Sequence, residues 1–334
     1  MRRDTVAKFS ALQTAMAVAY NVENVANFTA DAPEAVKLMT EIQKSAEFLK
    51  EITVLSVVDI VGRPITMSLS STVASRTNTD DEGKERKARN ILNLDDIEYR
   101  CYQTDFDVAI KYKDMDAMAR FPNFQQRYMQ MVYRRIALDK ILIGWYGKTA
   151  SANSDRSANP KLEDLNKGWP ALLKEHNPSH YIEEGATAGK IRICAGGDYE
   201  NLDEAVYDVA SVIPQEHRTG NEIAIIGQGL ITLDTGKILK LHGQTPTERS
   251  LFKTLEKSYG GFECHTSACF PEHGIFVGDP KHLHIYTQES GVRRQSKDNP
   301  NKNQVEDFIS SNDAYMIEDF NSIAMINHEN VVFE

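Results

Sequence analysis

Residues 124–146 constrain this chain more than any other stretch. Phe124, Tyr128, Met131, Leu138, Leu142 and Trp145 fall at steps of four, three, seven, four and three. One face of an α-helix collects positions at that spacing, so the stretch reads as a long amphipathic helix. Pro122 stands where a helix can begin, because its missing N–H is not needed in the first turn. Gly144 and Gly147 loosen the helix and then stop it. Roughly 22 residues at about 1.5 Å each make a rod of about 33 Å. A rod of that length, expected at 122–146, is a structural spine. Met131, Leu138 and Leu142 are expected to face a sheet. Arg134, Arg135 and Lys140 lie off the stripe and are expected to be individually replaceable.

Before the spine, residues 1–30 form a separate piece, in which Phe9, Leu12, Met16 and Tyr20 mark a short helical stripe. Asp31 with Glu34 has the form of a capping box for a second helix, whose stripe is Val36, Met39, Ile42, Ala46 and Leu49. From Ile52 to Tyr112 the period changes to two. Ile65, Met67 and Leu69 alternate with polar residues after a Gly62-Arg63-Pro64 turn, and Phe106, Val108, Ile110 and Tyr112 alternate again. Between them, Ser70 to Asn93 is almost wholly polar and dense in both charges at Asp80 to Lys87. It cannot bury a core of its own. It is either a solvated surface loop or a hairpin arm ordered by neighbouring subunits.

After the spine comes an exposed polar segment ending at Gly168-Trp169. Leu202, Ala205, Val206, Val209 and Val212 then mark another amphipathic helix behind the Gly196-Gly197 turn. Ile223–Ile226, Gly274–Val277 and His282–Tyr286 read as strands, Gly291–Gln304 as a basic, Asn-rich loop, and Tyr315–Asn327 with Val331–Phe333 as closing strands. Helices and strands are mixed without regular alternation, which indicates an α+β fold.

The charge is −10, with none of the bulk basicity of a phosphate-neutralising DNA binder. No apolar run approaches bilayer length. Four cysteines are too few for a disulfide framework and read as reduced thiols. Gly147-Lys148-Thr149 has the tail of a phosphate-binding loop, but position 142 is Leu142 and the triplet follows a helix. Gly227-Gln228-Gly229 lacks the third glycine of a dinucleotide fingerprint, since position 232 is Thr232. Cys264, His265, Cys269, His273, His282 and His284 are metal-ligand types, but no second Cys pair stands beside Cys264 and Cys269, which are five apart. No nucleophile elbow or paired metal-binding motif occurs, and no cofactor is expected.

Several short runs, in fixed order, resemble one family. They include Met1 to Thr5, Phe106 to Lys113, Phe124-Gln125-Gln126-Arg127, Ser154 to Pro160, Gly196 to Tyr199, Arg293-Arg294, Asn299-Pro300, Asn312 to Tyr315 and Glu318-Asp319-Phe320. The chain is similar in these runs to the major capsid proteins of peduovirus-type (P-two-like) tailed phages and prophages. Departures lie in the loops and at the C-terminus. The resemblance implies the Hong Kong 97 capsid fold. It implies a scaffold-interacting, cleavable segment (1–30), an N-terminal arm (31–51) and an extended loop (52–105). A peripheral domain (106–194 with 305–334) would carry the spine, and an axial domain would span 195–304.

The implied function is structural and non-enzymatic. Copies would form hexamers and pentamers of an icosahedral shell around double-stranded DNA. The implied partners are the chain itself, an internal scaffolding protein with its protease, a portal protein, and DNA held without sequence-specific binding; no membrane is involved. The implied location is the virion, assembled in the host bacterial cytoplasm. Trimming is expected near Phe28-Thr29. Contacts between subunits are expected at Lys84, Glu85, Arg86, Lys87, Asp155, Arg156, Arg293 and Arg294. Two other readings are a metal-dependent hydrolase using the Cys264–His284 cluster and an encapsulin-like compartment shell.

Overall fold

The computed structural model describes residues 32–64, 97–118, 124–242 and 258–333, with short stretches at 28–29, 68–69, 85–86 and 92–93 and isolated positions elsewhere. The chain opens with β1 (Phe28–Thr29), α1 (Ala32–Lys44), α2 (Phe48–Glu51), β2 (Thr53–Val57) and β3 (Val61–Gly62). Then come β4 (Ser68–Leu69), β5 (Leu92–Asn93), β6 (Tyr99–Arg100), β7 (Tyr102–Asp105), β8 (Val108–Lys111) and α3 (Tyr112–Met118). The spine is α4 (Phe124–Tyr146), followed by α5 (Trp169–His176), β9 (Tyr181–Ile182), β10 (Ile191–Ile193) and α6 (Leu202–Ser211). Next are β11 (Ile223–Ile226), α7 (Gln228–His242), β12 (Ser258–Tyr259), β13 (Phe262–His265) and β14 (Ile275–Gly278). The last are β15 (Leu283–Gln288), β16 (Arg293–Asn299), β17 (Gln304–Ile317), β18 (Ile323–Ile326) and β19 (Val331–Phe333).

The 14-residue β17 organises the larger sheet. Ser310 pairs with Arg293 and with Asp105, and Asp313 pairs with Thr287 and with Tyr102. A residue with two partners has them on opposite sides, so β15 and β16 flank one side of β17 and β7 and β8 the other. Outside β15 lies β2, parallel to it, and outside β16 lies β1. A second sheet runs β12-β13-β11-β14-β18-β9. One of its faces packs a second core, built from Ile191, Leu202, Val206, Val209, Ala224 and Val277 among others, while Ile225, Phe276, Ile323 and Met325 on the other face join the first core. The spine packs into the first core, with Phe48, Trp169, Ile285, Tyr315 and Ile317. Residues 283–299, grouped above with the axial segment, therefore belong to the larger sheet.

The spine is present, but its buried face is rotated from the expected one. Tyr128 and Trp145 are buried as expected, whereas Met131 is half exposed and Leu138 and Leu142 are only partly buried. The buried face is Val132, Tyr133, Ile136, Ala137, Lys140, Ile141 and Ile143. Pro122 lies outside the described residues. Ile141→Ala is expected to cost about 2–5 kcal/mol, and Leu138→Ala roughly half of that or less. Denaturant midpoints of the soluble subunit would measure both, and equal losses would contradict this register.

Other expectations change for local reasons. The second helix breaks after Lys44, where the Ser45 amide and hydroxyl both bond the Ile42 carbonyl, and α2 restarts at Phe48. Val36 is exposed, and Leu38 takes its place in the core. Tyr112 starts a helix instead of ending a strand. The stretch Gly291–Gln304 is no loop: β16 and β17 form an antiparallel hairpin there, with Asn303 left-handed at φ 52° in the turn. The Phe9, Leu12, Met16 and Tyr20 stripe lies outside the described residues, as do Ile65 and Met67.

Candidate functional site: the assembly surface

Between β2 and β7 the chain leaves the body as a two-stranded ladder. Val61 pairs with Arg100 and Gly62 with Tyr99. Seven residues further along each strand, Ser68 pairs with Asn93 and Leu69 with Leu92. The offset between the two described pairs is the same on both strands. Neither pair joins a larger sheet. At the root, Arg63 bridges to exposed Glu98 at 3.1 Å, and the Cys101 amide bonds the Ile60 carbonyl. Leu55, Val58, Ile60 and Val61 are exposed here, making an apolar strip along β2 and the arm base. Of the charged run expected to touch other subunits, Glu85 and Arg86 are exposed, and Lys84 and Lys87 lie outside the described residues.

The segment after the spine folds back on itself. Lys148 and Thr149 amides bond the Glu163 carbonyl, and Ser151 bonds that of Asp164. Asp155 pins its own loop: its Oδ1 accepts from the Ser157 and Ala158 amides, and its amide donates to the buried Asp164 carboxylate at 2.7 Å. Arg156 is exposed. The Lys148 ammonium pairs with Glu329 at 2.7 Å, so the Gly147-Lys148-Thr149 triplet is part of a helix exit.

Arg293 is exposed on β16, but Arg294 is not available for a neighbouring subunit. Its side chain is buried and pairs with Asp307 of the same chain, at 3.2 Å from Nε and 2.5 Å from Nη2. The alternation of the strand turns it inward, and Asp307, diagonal to it on β17, makes that burial bearable. Sequence reading also missed a second inward charge. Lys140 on the spine is buried and lies 2.5 Å from Asp313 on β17. Asp313 also accepts from the Ser311 and Thr287 hydroxyls, each at 2.7 Å. These two ion pairs tie β17 to the spine and to β16. The only signal in the sequence is Asp307 and Asp313 at alternate, inward positions of one strand.

The cysteines and histidines do not converge. His265 sits between Glu51 and Glu263, while His282 and His284 share Glu318 at 3.2 and 3.4 Å. Among the described residues, no group of three or more His, Cys, Asp or Glu side chains is placed to hold a metal. Burial pushes the Cys264 thiol up to about 11 and Cys101 to about 12, which suppresses thiolate chemistry. No described helix is long and apolar enough to cross a membrane.

The Glu318 cluster makes a pH-dependent contact. Hydrogen bonds from His282 and His284 hold its carboxyl far below the usual range. Burial opposes charge on His282, but the bond to Glu318 and the carboxylates of Glu318, Asp279 and Asp319 outweigh it and raise its pKa. A lowered carboxyl stabilises above about 4.3 and fails as pH falls through its folded value. A raised histidine stabilises below about 6.5 and fails as pH rises through its folded value. Both contributions coexist between roughly pH 4.5 and 6.5. Glu318→Gln is therefore expected to lower Tm more at about pH 5.5 than at about pH 8. A uniform loss across that range would remove the titration argument.

Two cores on opposite faces of the second sheet, a spine helix packed into one of them and a projecting hairpin define a shell subunit of the Hong Kong 97 capsid fold. A chain of the satellite phage P4 procapsid, a particle that includes the size determination protein, superposes with a TM-score of 0.72 at 28% identity, covering 89% of this chain and 99% of that one. The family model described as phage major capsid protein, P2 family, matches residues 8–329. The chain belongs to that family. The capsid protein of Escherichia phage P2 is 29% identical over 333 residues, 96% of this chain and 93% of the phage protein. The major capsid protein of Serratia phage KSP20 is 28% identical over 311 residues, 90% of this chain and 89% of its own length. The protein is thus a major capsid protein of a tailed phage, a structural component of the virion; the hydrolase and compartment readings are not favoured.

Proposed function

We propose that copies of this chain assemble into hexamers and pentamers, and these into an icosahedral shell around double-stranded DNA. The arm is the observation that carries this reading. A lone two-stranded ladder is marginally stable in water and needs covering from outside. A neighbouring copy supplies that cover, and heterologous contacts of this kind close rings. Glu85, Arg86, Asp155, Arg156 and Arg293, exposed on the surface, are assigned to such contacts, together with Lys84 and Lys87 of the same arm. The second core, at 191–277 with 324–331, is assigned to the capsomer axis, and the spine core to the periphery.

An internal scaffold with its protease shapes the shell and trims the chain near Phe28-Thr29, the segment that pairs with Arg293 and Arg294 as β1. Residues 1–28 hold three Lys/Arg and two Asp/Glu, so removal takes the charge from −10 to −11. The wall then stays acidic, and DNA entering through a portal slides past without being gripped. Assembly takes place in the host cytoplasm. Expression with the scaffold should yield closed particles by negative-stain microscopy, and intact mass of mature subunits should lack the first roughly 28 residues. Soluble monomers alone would overturn the shell reading, and a retained Met1 in infectious heads would overturn the trimming.

A further inference from the structure

We infer that the cavity where the spine exit meets α5, β9 and the turn 327–330 binds a small neutral heteroaromatic molecule, one that both donates and accepts a hydrogen bond. It shares no residue with the contacts assigned above to assembly. Its volume is about 500 Å³, within the roughly 300–1,000 Å³ of pockets that hold ligands of drug size.

The walls are fixed by the chain around them. Gly147 ends the spine, where a Cβ would lie 2.3 Å from the Asn166 carbonyl oxygen. The polar loop returns to this point, the Gly168 amide donates to the Gly147 carbonyl at 3.0 Å, and α5 starts with Pro170 and Ala171 in its first turn. The turn 327–330 is tied to β9. The Asn327 amide donates to the Ile182 carbonyl at 2.9 Å, and the Asn330 side chain donates to that of Glu183 at 2.7 Å. Tyr146 meets the His328 ring edge-on, with centroids 5.4 Å apart at 88°. Tyr146, Pro170, Ala171 and Tyr181 give the cavity apolar surface against which an aromatic ring packs.

Two polar groups that line the cavity are unused. Tyr181 is 9% exposed, and its hydroxyl makes no hydrogen bond with a described residue. Burial, then Glu183 and Glu329, push its pKa up, so the hydroxyl keeps its proton. The His328 ring likewise makes no hydrogen bond with a described residue. Burial pushes its pKa down to about 4; Glu329 opposes this, and Lys161, Lys148 and His273 add to it. The ring is therefore uncharged near neutral pH. A phenol and a neutral imidazole each offer a donor and an acceptor, and buried groups of this kind call for a partner.

The charges at the rim already have theirs. Lys148 pairs with Glu329 at 2.7 Å, Lys174 with Glu183 at 2.5 Å and Glu175 with Lys167 at 2.7 Å. Lys161 stands over the Tyr146 ring, 4.2 Å from its centre. A charged ligand would have to break one of these pairs, whereas a neutral ring with a polar edge leaves them all in place.

Benzimidazole is the probe, because its fused rings carry an N–H donor beside a nitrogen acceptor. Calorimetric titration into the full-length soluble subunit near neutral pH should saturate with a Kd below about 1 mM, and Tm should rise with probe concentration. Tyr181→Phe keeps the ring and removes the hydroxyl, and should weaken binding about fivefold. Tyr207→Phe, on the exposed face of α6, should change nothing. Benzoate, an anion, should bind about tenfold more weakly than benzimidazole. Absence of saturation, or equal affinity in Tyr181→Phe, would overturn the site, and tighter binding of benzoate would overturn the neutral class. If Tyr181→Phe misfolds, Ala171→Trp decides the matter: it fills the cavity from its wall and should abolish binding, and wild-type affinity in that variant would place the probe elsewhere. Assembled shells should bind benzimidazole as the free subunit does. Loss of binding there would give the cavity to a side chain of a neighbouring copy and overturn a small-molecule site.

Discussion

Replacing Lys140 with Met is expected to leave little soluble subunit and no particles. The unbranched side chain fills most of the same space, so the loss falls mainly on the charge. Asp313 would be left in the core with two hydroxyl donors and no cation. Removing one partner of a buried pair typically costs about 3–5 kcal/mol, a large part of a domain's stability. Asp313→Asn in the same chain should recover much of the loss, because a neutral amide asks less of its surroundings than a carboxylate. Expression at low temperature followed by urea titration would measure both variants. A Lys140→Met subunit as stable as wild type would mean that the pair contributes nothing, and that the lysine is replaceable as its place off the apolar stripe first indicates.

Trp169→Ala should be comparably damaging, at about 3–5 kcal/mol. Its ring packs against Trp145 and Tyr315, with centroids 5.0 and 5.6 Å away, and its indole N–H donates to the His284 carbonyl at 3.2 Å. One side chain therefore joins the spine, the central strand and β15. Gly144 is the other half of this joint. A Cβ there would lie 2.4 Å from the Trp169 ring, so the absence of a side chain on the helix lets the indole sit down on it. Gly144→Ala should then destabilise even though alanine is the better helix former. Near-ultraviolet circular dichroism would report loss of the aromatic cluster while the far-ultraviolet helical signal persists. If Gly144→Ala instead raised Tm, intrinsic helix propensity would outweigh the contact.

What the sequence revealed depended on whether apolarity alone sets a residue's burial. Ile223–Ile226 and the Leu202 to Ala210 face are legible because oily side chains recur at strand or helical spacing. The spine is legible as a helix, but its rotation is not. A stripe drawn through Met131 and Leu138 treats Lys140 as surface, and only Asp313, far along the chain, reverses that. The β16–β17 hairpin fails for the same reason. Its inward residues include Arg294, Ser296 and Asp307, so burial alternates while hydropathy does not. The Asn299 to Asn303 turn was the available clue. The assembly surface was legible as composition, in the charged arm. The cavity lined by Asp105, Leu142 and Arg156 was not, because these residues meet only after folding.

The double flanking of β17 also decides how the subunit bears force. Ladder hydrogen bonds lie across the strands, so tension along β17 shears many of them at once on both sides. At the root of the arm each strand has a single partner, so a pull along its strands is resisted by fewer cross-strand bonds per residue than in β17.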